Sequence, residues 1–312
     1  MTVLKVAVYG VGGVGGYFGA VLARAGNPVS LIARGEHLKA IRASGLRIQS
    51  PKEEFTVTPA AASDNPADIG PVDIVLVGVK AWQVPDAAKA IRPLLKPDTR
   101  VVPLQNGVEA VDQLAQVLGR EHVLAGLCRV IASIAAPGVI KIGPMEPIVV
   151  LGEFDGSELA GNAGALYEAF RAAGVNVQKA PDIRAALWEK LLFIAAVSGV
   201  GSVSRANVGE VRQSPPTRAL LQQVMEEVAA VADKRGVRLA PDIVARTLAF
   251  IDSMPGEGTA SMQRDVAAGR PSELEAIIGS VNRLGSAAGV PTPATQFIYA
   301  SLLPQEKRAR SA

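Results

Sequence analysis

Short apolar runs alternate with stretches of helical period through the first part of the chain. The apolar runs lie at residues 4–9, 29–32, 73–79 and 101–104. The helical stretches between and after them lie at residues 17–25, 36–44, 84–95 and 108–118. Strands that are buried on both faces read as continuous apolar runs. The pattern therefore predicts an α/β fold with a parallel sheet wound with helices.

The pattern changes twice further along the chain. Residues 123–151, rich in Gly, Pro and β-branched residues, predict extended or antiparallel additions to the first domain. Beyond residue 182 only helical runs remain, at residues 183–197, 217–235, 241–253 and 272–288. We therefore expect two domains, residues 1–181 with the parallel sheet and residues 182–312 all-α.

Composition excludes several classes of protein. The formal charge is only +3, and no basic stretch with interleaved aromatic residues predicts a nucleic-acid partner. Cys128 is the only cysteine, so an intrachain disulfide is impossible and a reducing compartment fits best. The only histidines, His37 and His122, lie on stretches predicted to be surface connections. We expect no metal site of the zinc dehydrogenase kind.

An uncharged run from Val6 to Ala23 has the length of a signal peptide or a short membrane span. Six glycines interrupt it, at positions 10, 12, 13, 15, 16 and 19. A continuous apolar helix with so many glycines is unfavourable, and a strand, turn and helix account for each break better. We expect a cytoplasmic protein with no membrane partner.

The same glycines form a motif that binds phosphates. Gly10-Val11-Gly12-Gly13-Val14-Gly15 is a G-x-G-x-x-G sequence that follows a predicted strand and opens a predicted helix. In this motif the glycines permit a tight turn, approach of the backbone to a pyrophosphate, and close packing of helix on strand. The sequence therefore predicts a Rossmann-type, dinucleotide-binding N-terminal domain that is doubly wound. A glycine-rich turn without a ligand is the alternative.

The end of the second strand indicates which dinucleotide is preferred. An acidic side chain there accepts the ribose hydroxyls of NAD, whereas a cation binds the 2′-phosphate of NADP. The chain has Arg34 at this place and no acid before Glu36. We therefore expect NADP(H), unless Arg34 only begins the next helix in solvent.

Reduction of a carbonyl requires a proton donor beside the developing alkoxide. The Tyr-x-x-x-Lys pair of short-chain dehydrogenases is absent, which favours a lysine elsewhere. Lys190 opens the most apolar helical stretch of the second domain, where desolvation would lower its pKa toward neutrality. On this evidence alone, a lysine that extends from a helix edge into solvent is the favoured interpretation.

Five segments together resemble the ketopantoate reductases, the 2-dehydropantoate 2-reductases of pantothenate biosynthesis, over essentially the whole chain. They are the G-x-G-x-x-G motif, Val79-Lys80-Ala81-Trp82-Gln83, Gln105-Asn106-Gly107-Val108, Trp188-Glu189-Lys190-Leu191, and Ser261-Met262-Gln263-Arg264-Asp265 followed by Glu273. The resemblance implies NADPH-dependent reduction of a 2-keto acid. The substrate that it favours is 2-dehydropantoate, which is reduced to pantoate.

The resemblance also assigns roles to single residues. Lys190 is implied as the general acid, and Glu273 as the carboxylate that holds substrate and lysine. Asn106 is implied to contact cofactor and substrate, and Ser261 the substrate carboxylate. The cofactor cleft would also be lined by Lys80 and Gln83.

The chain departs from the family at two positions of the substrate face. Well-known members have asparagines four and eight residues after the catalytic lysine, where this chain has Ile194 and Ser198. Isoleucine cannot hydrogen-bond a substrate hydroxyl, and losing such a bond costs about 1–3 kcal/mol. The sequence thus leaves open a different branched keto acid or a 3-hydroxy acid as substrate. A catalytically silent NADP-binding protein and a homodimer formed by the helical domain also stay open.

Overall fold

The computed structural model describes residues 2–311, which divide into two compact units. The first unit comprises residues 1–105 and 110–183, and the second comprises residues 106–109 and 184–312. The sequence places the boundary after residue 181, and the chain passes from the first unit to the second after Ile183. The four residues 106–109 belong with the second unit although the first unit surrounds them in sequence.

A five-stranded parallel sheet organises the first unit. Its strands are β1 (Val6–Tyr9), β2 (Val29–Ile32), β5 (Ala61–Ser63), β6 (Ile74–Val77) and β7 (Arg100–Pro103), in the order β5-β2-β1-β6-β7. In the register of the central strand, Val6 is opposite Val29 on one side and Ile74 on the other. Every residue of β1, β2 and β6 is buried, as expected of strands covered on both faces.

Five helices follow strands of the first unit, and the first four alternate with strands of the parallel sheet in the order that the apolar pattern predicts. They are α1 (Gly13–Arg24), α2 (Gly35–Ser44), α3 (Val84–Ala90), α4 (Ala110–Leu118) and α5 (Gly161–Ala172). The core of the unit is aliphatic apart from Phe18 of α1 and Phe170 of α5, whose rings meet edge to face at 5.7 Å. A βαβ unit is thus complete within the first forty residues.

Two smaller sheets complete the first unit. One has four strands in the order β4-β3-β10-β9, with β3 (Leu46–Gln49), β4 (Glu54–Val57), β9 (Ala132–Ala136) and β10 (Val139–Ile142). The other has three strands in the order β12-β11-β8, with β8 (Ala125–Arg129), β11 (Ile148–Gly152) and β12 (Asn176–Lys179). Antiparallel pairing of β8 with β11 and of β9 with β10 agrees with the additions predicted over residues 123–151.

The described residues of the second unit form helices joined by loops, with no β-strand among them. Its α-helices are α6 (Ile183–Ser204), α7 (Val208–Gln213), α8 (Pro215–Lys234), α9 (Ile243–Ser253), α10 (Ser261–Ala267), α11 (Ser280–Ala288) and α12 (Pro293–Ser311). A π-helical segment at Glu275–Gly279 leads directly into α11. All of these helices and the π-helical segment contribute side chains to the core, which is mainly aliphatic and includes Trp188 of α6.

Helix α6 is the longest and one of the most buried helices of this unit. Among the described residues it alone is long and apolar enough to cross a membrane, but 72% of its most apolar window is buried inside the protein. A core helix passes the same test of length and composition. The predicted fold class, a doubly wound parallel sheet followed by a helical domain, is confirmed.

Candidate active site

The predicted phosphate loop joins β1 to α1 in the first unit. Strand β1 ends at Tyr9, Gly12 is the residue before the helix, and α1 begins at Gly13 with no acidic side chain in its first turn. Gly10 has φ of +94°, a conformation that side chains other than glycine rarely adopt. The helix therefore presents free N-terminal amides and the positive end of its dipole, as an anion site requires.

The glycines of this loop fall into two groups by what surrounds them. A Cβ atom added to Gly10 would lie 2.6 Å from the backbone nitrogen of Val79, and one on Gly15 would collide with the carbonyl oxygen of Gly10. By contrast, a Cβ on Gly12 would have no neighbour closer than 3.9 Å. Gly10 and Gly15 are thus required by packing, whereas the space over Gly12 fits a pyrophosphate approaching the backbone.

Arg34 lies at the end of β2, where the cofactor preference is decided. It precedes the first residue of α2 in extended conformation, and its side chain is exposed. The first acid of α2, Glu36, is bound to Lys39 through an ion pair of 2.7 Å. Within residues 2–311 the guanidinium of Arg34 makes no ion pair, so it can meet a phosphate without first breaking one.

Lys80 and Gln83 follow β6, at the same carboxyl edge of the sheet. The backbone amide of Lys80 donates to Oε1 of Gln83 at 3.2 Å, and both residues are exposed. Nearby, Nε2 of the buried Gln105 donates to the carbonyls of Val77 and Val79 at 2.8 and 2.9 Å. This amide fixes the end of β6 from the end of β7, a role that no sequence pattern indicated.

His37 lies on α2 and joins it to two other segments of the first unit. Its Nδ1 accepts a hydrogen bond of 3.0 Å from the amide of Gly138, and its Nε2 is buried. Burial lowers the pKa of His37, and the carbonyl of Val11 in the phosphate loop acts in the opposite direction. His37 is half-buried on a mostly exposed helix, so it lies near the surface as expected, but within a helix and not in a connection.

In the second unit, α6 carries Lys190, Ile194 and Ser198 on one face. The spacing of four residues places them on successive turns. Lys190 and Ser198 are buried, with 8% and 2% of their surface exposed, and Ile194 is half-buried. Lysine is almost never this buried unless its charge has a partner, so this burial makes Lys190 unlike an ordinary lysine at a helix edge.

Asn106 and Glu273 meet although 167 residues separate them in sequence. Nδ2 of Asn106 donates to Oε2 of Glu273 at 2.9 Å, and Glu273 is only 6% exposed. Glu273 is thus shielded from solvent, unlike most carboxylates on helical sequence. Among the residues predicted to bind substrate, these two are joined by a direct hydrogen bond.

An irregular backbone surrounds this pair. Glu273 lies two residues before the π-helical segment, and such segments occur frequently at functional sites. Gly107 has φ of +96°, and a Cβ on it would lie 2.8 Å from the carbonyl oxygen of Ala276. The Asn106-Gly107 turn can therefore approach the segment closely enough to reach Glu273.

Ser261 is the first residue of α10 and is exposed. The residue that caps this helix is Ala260, whose amide donates to Oε1 of Gln263 at 3.4 Å. Within the described residues, no cluster of three or more His, Cys, Asp or Glu side chains is placed to hold a metal ion.

Two family models match the chain in succession. The model described as "Ketopantoate reductase PanE/ApbA" matches residues 6–156, and the model of its C-terminal region matches residues 182–306. The chain belongs to the ketopantoate reductase family. As a member of this family it is an oxidoreductase.

Sequence relatives and solved structures match this chain over nearly its full length. The 2-dehydropantoate 2-reductase of Mesorhizobium japonicum is 31% identical, with 95% of this chain and 96% of that protein covered. A ketopantoate reductase of this family from Ralstonia eutropha is 33% identical with a TM-score of 0.89, covering 98% of this chain and 99% of that one. D-mandelate dehydrogenase in complex with NADH is 25% identical with a TM-score of 0.85, covering 97% and 99%.

The two family models divide the predicted site residues between them. The first includes the phosphate loop, Arg34, Lys80, Gln83 and Asn106, and the second includes Lys190, Ile194, Ser198, Ser261 and Glu273. The predicted family is therefore confirmed for both matched parts of the chain, and the roles of the individual side chains stay predictions.

Proposed function

We propose that this chain reduces a 2-keto acid with NADPH, and that 2-dehydropantoate is its principal substrate. The observation that carries the proposal is the hydrogen bond from the half-buried Asn106 to the buried Glu273, in a unit whose apolar core helix carries a buried lysine. Such a constellation of amide, carboxylate and amine is suited to orienting a polar substrate and giving it a proton.

The first unit binds the cofactor. Gly12 and the N-terminus of α1 hold the pyrophosphate, Arg34 holds the 2′-phosphate, and Lys80 and Gln83 line the remaining cleft. The open space over Gly12 and the freedom of Arg34 from ion pairs support this assignment. NADPH supplies the hydride that adds to the keto carbon.

Lys190 donates the proton. Its Nζ gives a proton to the carbonyl oxygen as negative charge develops there, so that an alcohol and a neutral amine result. General acids of this kind contribute about 10²–10⁴-fold to rate. The buried position of Lys190 supports the role, because a desolvated ammonium interacts strongly with a developing alkoxide.

Glu273 and Asn106 orient the substrate. The hydrogen bond from Asn106 to Oε2 of Glu273 fixes the direction of the carboxylate, whose oxygens have the lone pairs to accept from a substrate hydroxyl as well. Ser261, at the first turn of α10, hydrogen-bonds the substrate carboxylate. Ile194 and Ser198 line the substrate face one and two turns beyond Lys190, and Ile194 makes it more apolar.

The decisive experiment compares two keto acids that differ by one hydroxyl. NADPH oxidation at 340 nm is measured with 2-dehydropantoate and with 3,3-dimethyl-2-oxobutanoate, in which the hydroxymethyl group is a methyl. We expect turnover of 2-dehydropantoate at about 10⁴ M⁻¹s⁻¹ or better, and a lower kcat/KM with NADH.

Three other outcomes have distinct meanings. Preference for the methyl analogue would replace 2-dehydropantoate by a branched keto acid that lacks a hydroxyl, as Ile194 favours. Turnover of a 3-hydroxy acid instead would contradict the 2-keto acid assignment. NADPH binding without turnover of any keto acid would identify a catalytically silent binding protein and refute the proposal.

A further inference from the structure

A buried carboxylate of the last helix binds the residue that precedes Glu273. Oε1 and Oε2 of Glu306 both accept from the backbone amide of Ser272 at 3.1 Å, and Oε2 also accepts from the Ser272 hydroxyl at 2.6 Å. Glu306 is 7% exposed and Ser272 is fully buried. A buried carboxylate with three hydrogen bonds to one residue holds that residue firmly.

The carbonyl side of Ser272 is held as well. Nη2 of Arg310 donates to the carbonyl oxygen of Ser272 at 2.9 Å, and Nε of the same guanidinium is paired with Oε1 of Glu306 at 2.7 Å. Glu306 and Arg310 are one helical turn apart on α12. Together they hydrogen-bond both the backbone amide and the carbonyl group of Ser272.

These hydrogen bonds to Ser272 fix both peptide planes that flank Glu273. The plane before its Cα contains the Ser272 carbonyl, which Arg310 holds. The plane after it contains the Leu274 amide, which donates to the Ser272 hydroxyl at 3.3 Å, and that hydroxyl is held by Glu306. Because each peptide is rigid, fixing both planes fixes the direction in which the Glu273 side chain leaves the backbone.

We propose that Glu306 and Arg310 are positioning residues for the reductase reaction, acting through Ser272 to aim the Glu273 carboxylate. The proposal rests on the proposed function, since it gives Glu273 a substrate to orient. It assigns a role to the basic C-terminal segment, whose Arg310 lies 37 residues beyond Glu273 in the chain. A misplacement of about 1 Å at a catalytic group can cost on the order of a hundredfold in rate.

The same helix supplies a matched control. Glu227 is also 7% exposed, and its carboxylate accepts from the amides of Ala294 and Thr295 at 2.7 and 2.9 Å at the other end of α12. It thus anchors α12 with a comparable buried carboxylate but contacts neither neighbour of Glu273. Glu227→Gln tests what loss of an anchor alone does to the protein.

The experiment is a double-mutant cycle on the full chain. Steady-state kinetics with 2-dehydropantoate and NADPH are measured for wild type, Glu306→Gln, Glu273→Gln and the double variant. Glu227→Gln, alone and combined with Glu273→Gln, is measured in parallel as the control. We expect Glu306→Gln to lower kcat/KM for the keto acid about ten- to a hundredfold with KM for NADPH unchanged. In the Glu273→Gln background the same change should have little further effect, because residues that act through one another are not additive.

Other outcomes overturn the proposal. Equal losses from Glu306→Gln and Glu227→Gln, or a Glu306→Gln loss that persists undiminished without Glu273, would leave Glu306 as an anchor of α12 only. Absence of turnover in the wild type would refute the proposed function, and the positioning role with it.

Hydrogen exchange provides a readout that does not depend on turnover. In Glu306→Gln, amide exchange over residues 272–277 should accelerate, and in Glu227→Gln it should accelerate at residues 294–295 instead. Unchanged protection of residues 272–277 in Glu306→Gln would show that the hydrogen bonds to Ser272 do not hold this segment. That result would refute the positioning role even in an active enzyme.

Discussion

The backbone of Gly107 lies against the carbonyl oxygen of Ala276, so close that a Cβ atom at Gly107 would stand 2.8 Å from that oxygen. Gly107 also has φ of +96°. Two independent constraints, conformation and space, therefore require glycine beside Asn106. The close approach brings the Asn106 side chain to Glu273 and explains why an Asn-Gly pair lies in the loop between β7 and α4.

Gly107→Ala should both destabilise the protein and displace Asn106. The positive φ and the contact with Ala276 together should cost about 1–3 kcal/mol of unfolding free energy. Urea denaturation measures this loss, and kcat/KM for the keto acid should fall more than it does in Gly289→Ala. Gly289 has φ of +68° but no heavy atom within 4 Å of its Cβ position, so it controls for conformation alone. Equal effects of the two changes would contradict a role for the close approach.

Lys190→Met should nearly abolish turnover while the protein still binds NADPH. Methionine preserves the apolar stem that packs in the core, and it removes only the group that donates the proton. We expect kcat to fall by about 10²–10⁴-fold. NADPH binding, followed by cofactor fluorescence, should be unchanged. A Lys190→Met protein with more than a tenth of wild-type kcat would remove Lys190 from the mechanism.

Arg34→Gln should weaken binding of NADPH and leave NADH unaffected. A hydrogen bond to a charged group contributes about 1.5–3 kcal/mol, so KM for NADPH should rise roughly ten- to a hundredfold. Lys39→Gln, on the same helix but paired with Glu36, should change neither constant. An equal rise of KM for both cofactors would show that Arg34 does not read the 2′-phosphate.

The order of apolar runs was sufficient to predict the wound sheet and the helical second domain, because strands buried on both faces leave an unbroken apolar signal. It did not reveal β3 and β4, whose exposed positions break that signal. It also missed α12, which contains Pro304 and ends in a basic segment typical of a solvated tail. Tertiary contacts of Glu227 and Glu306 hold this helix in place, and contacts of that kind leave no periodic trace.

The candidate site divides in the same way. The phosphate loop could be predicted because its chemistry is local to six residues and their flanking strand and helix. The hydrogen bond between Asn106 and Glu273 depends on tertiary folding, because 167 residues separate the two in sequence. Only the resemblance to a family brought the two residues into one prediction. The π-helical segment that follows Glu273 had no recognisable signal in the sequence, and neither had the hydrogen bonds from α12 to Ser272.

Ile194→Asn should raise the preference for a substrate that carries a hydroxyl. Asparagine at this position restores a hydrogen-bonding group one turn beyond Lys190, where Ile194 is half-buried. The ratio of kcat/KM for 2-dehydropantoate to that for 3,3-dimethyl-2-oxobutanoate should increase about tenfold or more. Ile194→Leu, which keeps the position apolar, is the control. A ratio that is the same in both variants would show that residue 194 does not face the hydroxyl.

The free energy of unfolding should decrease as the pH is lowered and His37 becomes protonated. Because burial lowers the pKa of His37 below 6.5 in the folded state, the unfolded chain binds its proton first as the pH decreases. The stabilisation is therefore fully present above pH 6.5 and is lost as the pH falls from there through the folded-state pKa. Protonation of Nδ1 also removes the hydrogen bond from the Gly138 amide.

Urea denaturation between pH 7.5 and 5 measures this dependence for the wild type and for His37→Gln. The wild type should lose more unfolding free energy across the range than the variant, since glutamine does not titrate. The chain has only one other histidine, so the same titration of His122→Gln assigns the difference to one ring. Parallel curves for wild type and His37→Gln would mean that the ring between α2, Gly138 and the phosphate loop accepts a proton without cost to the fold.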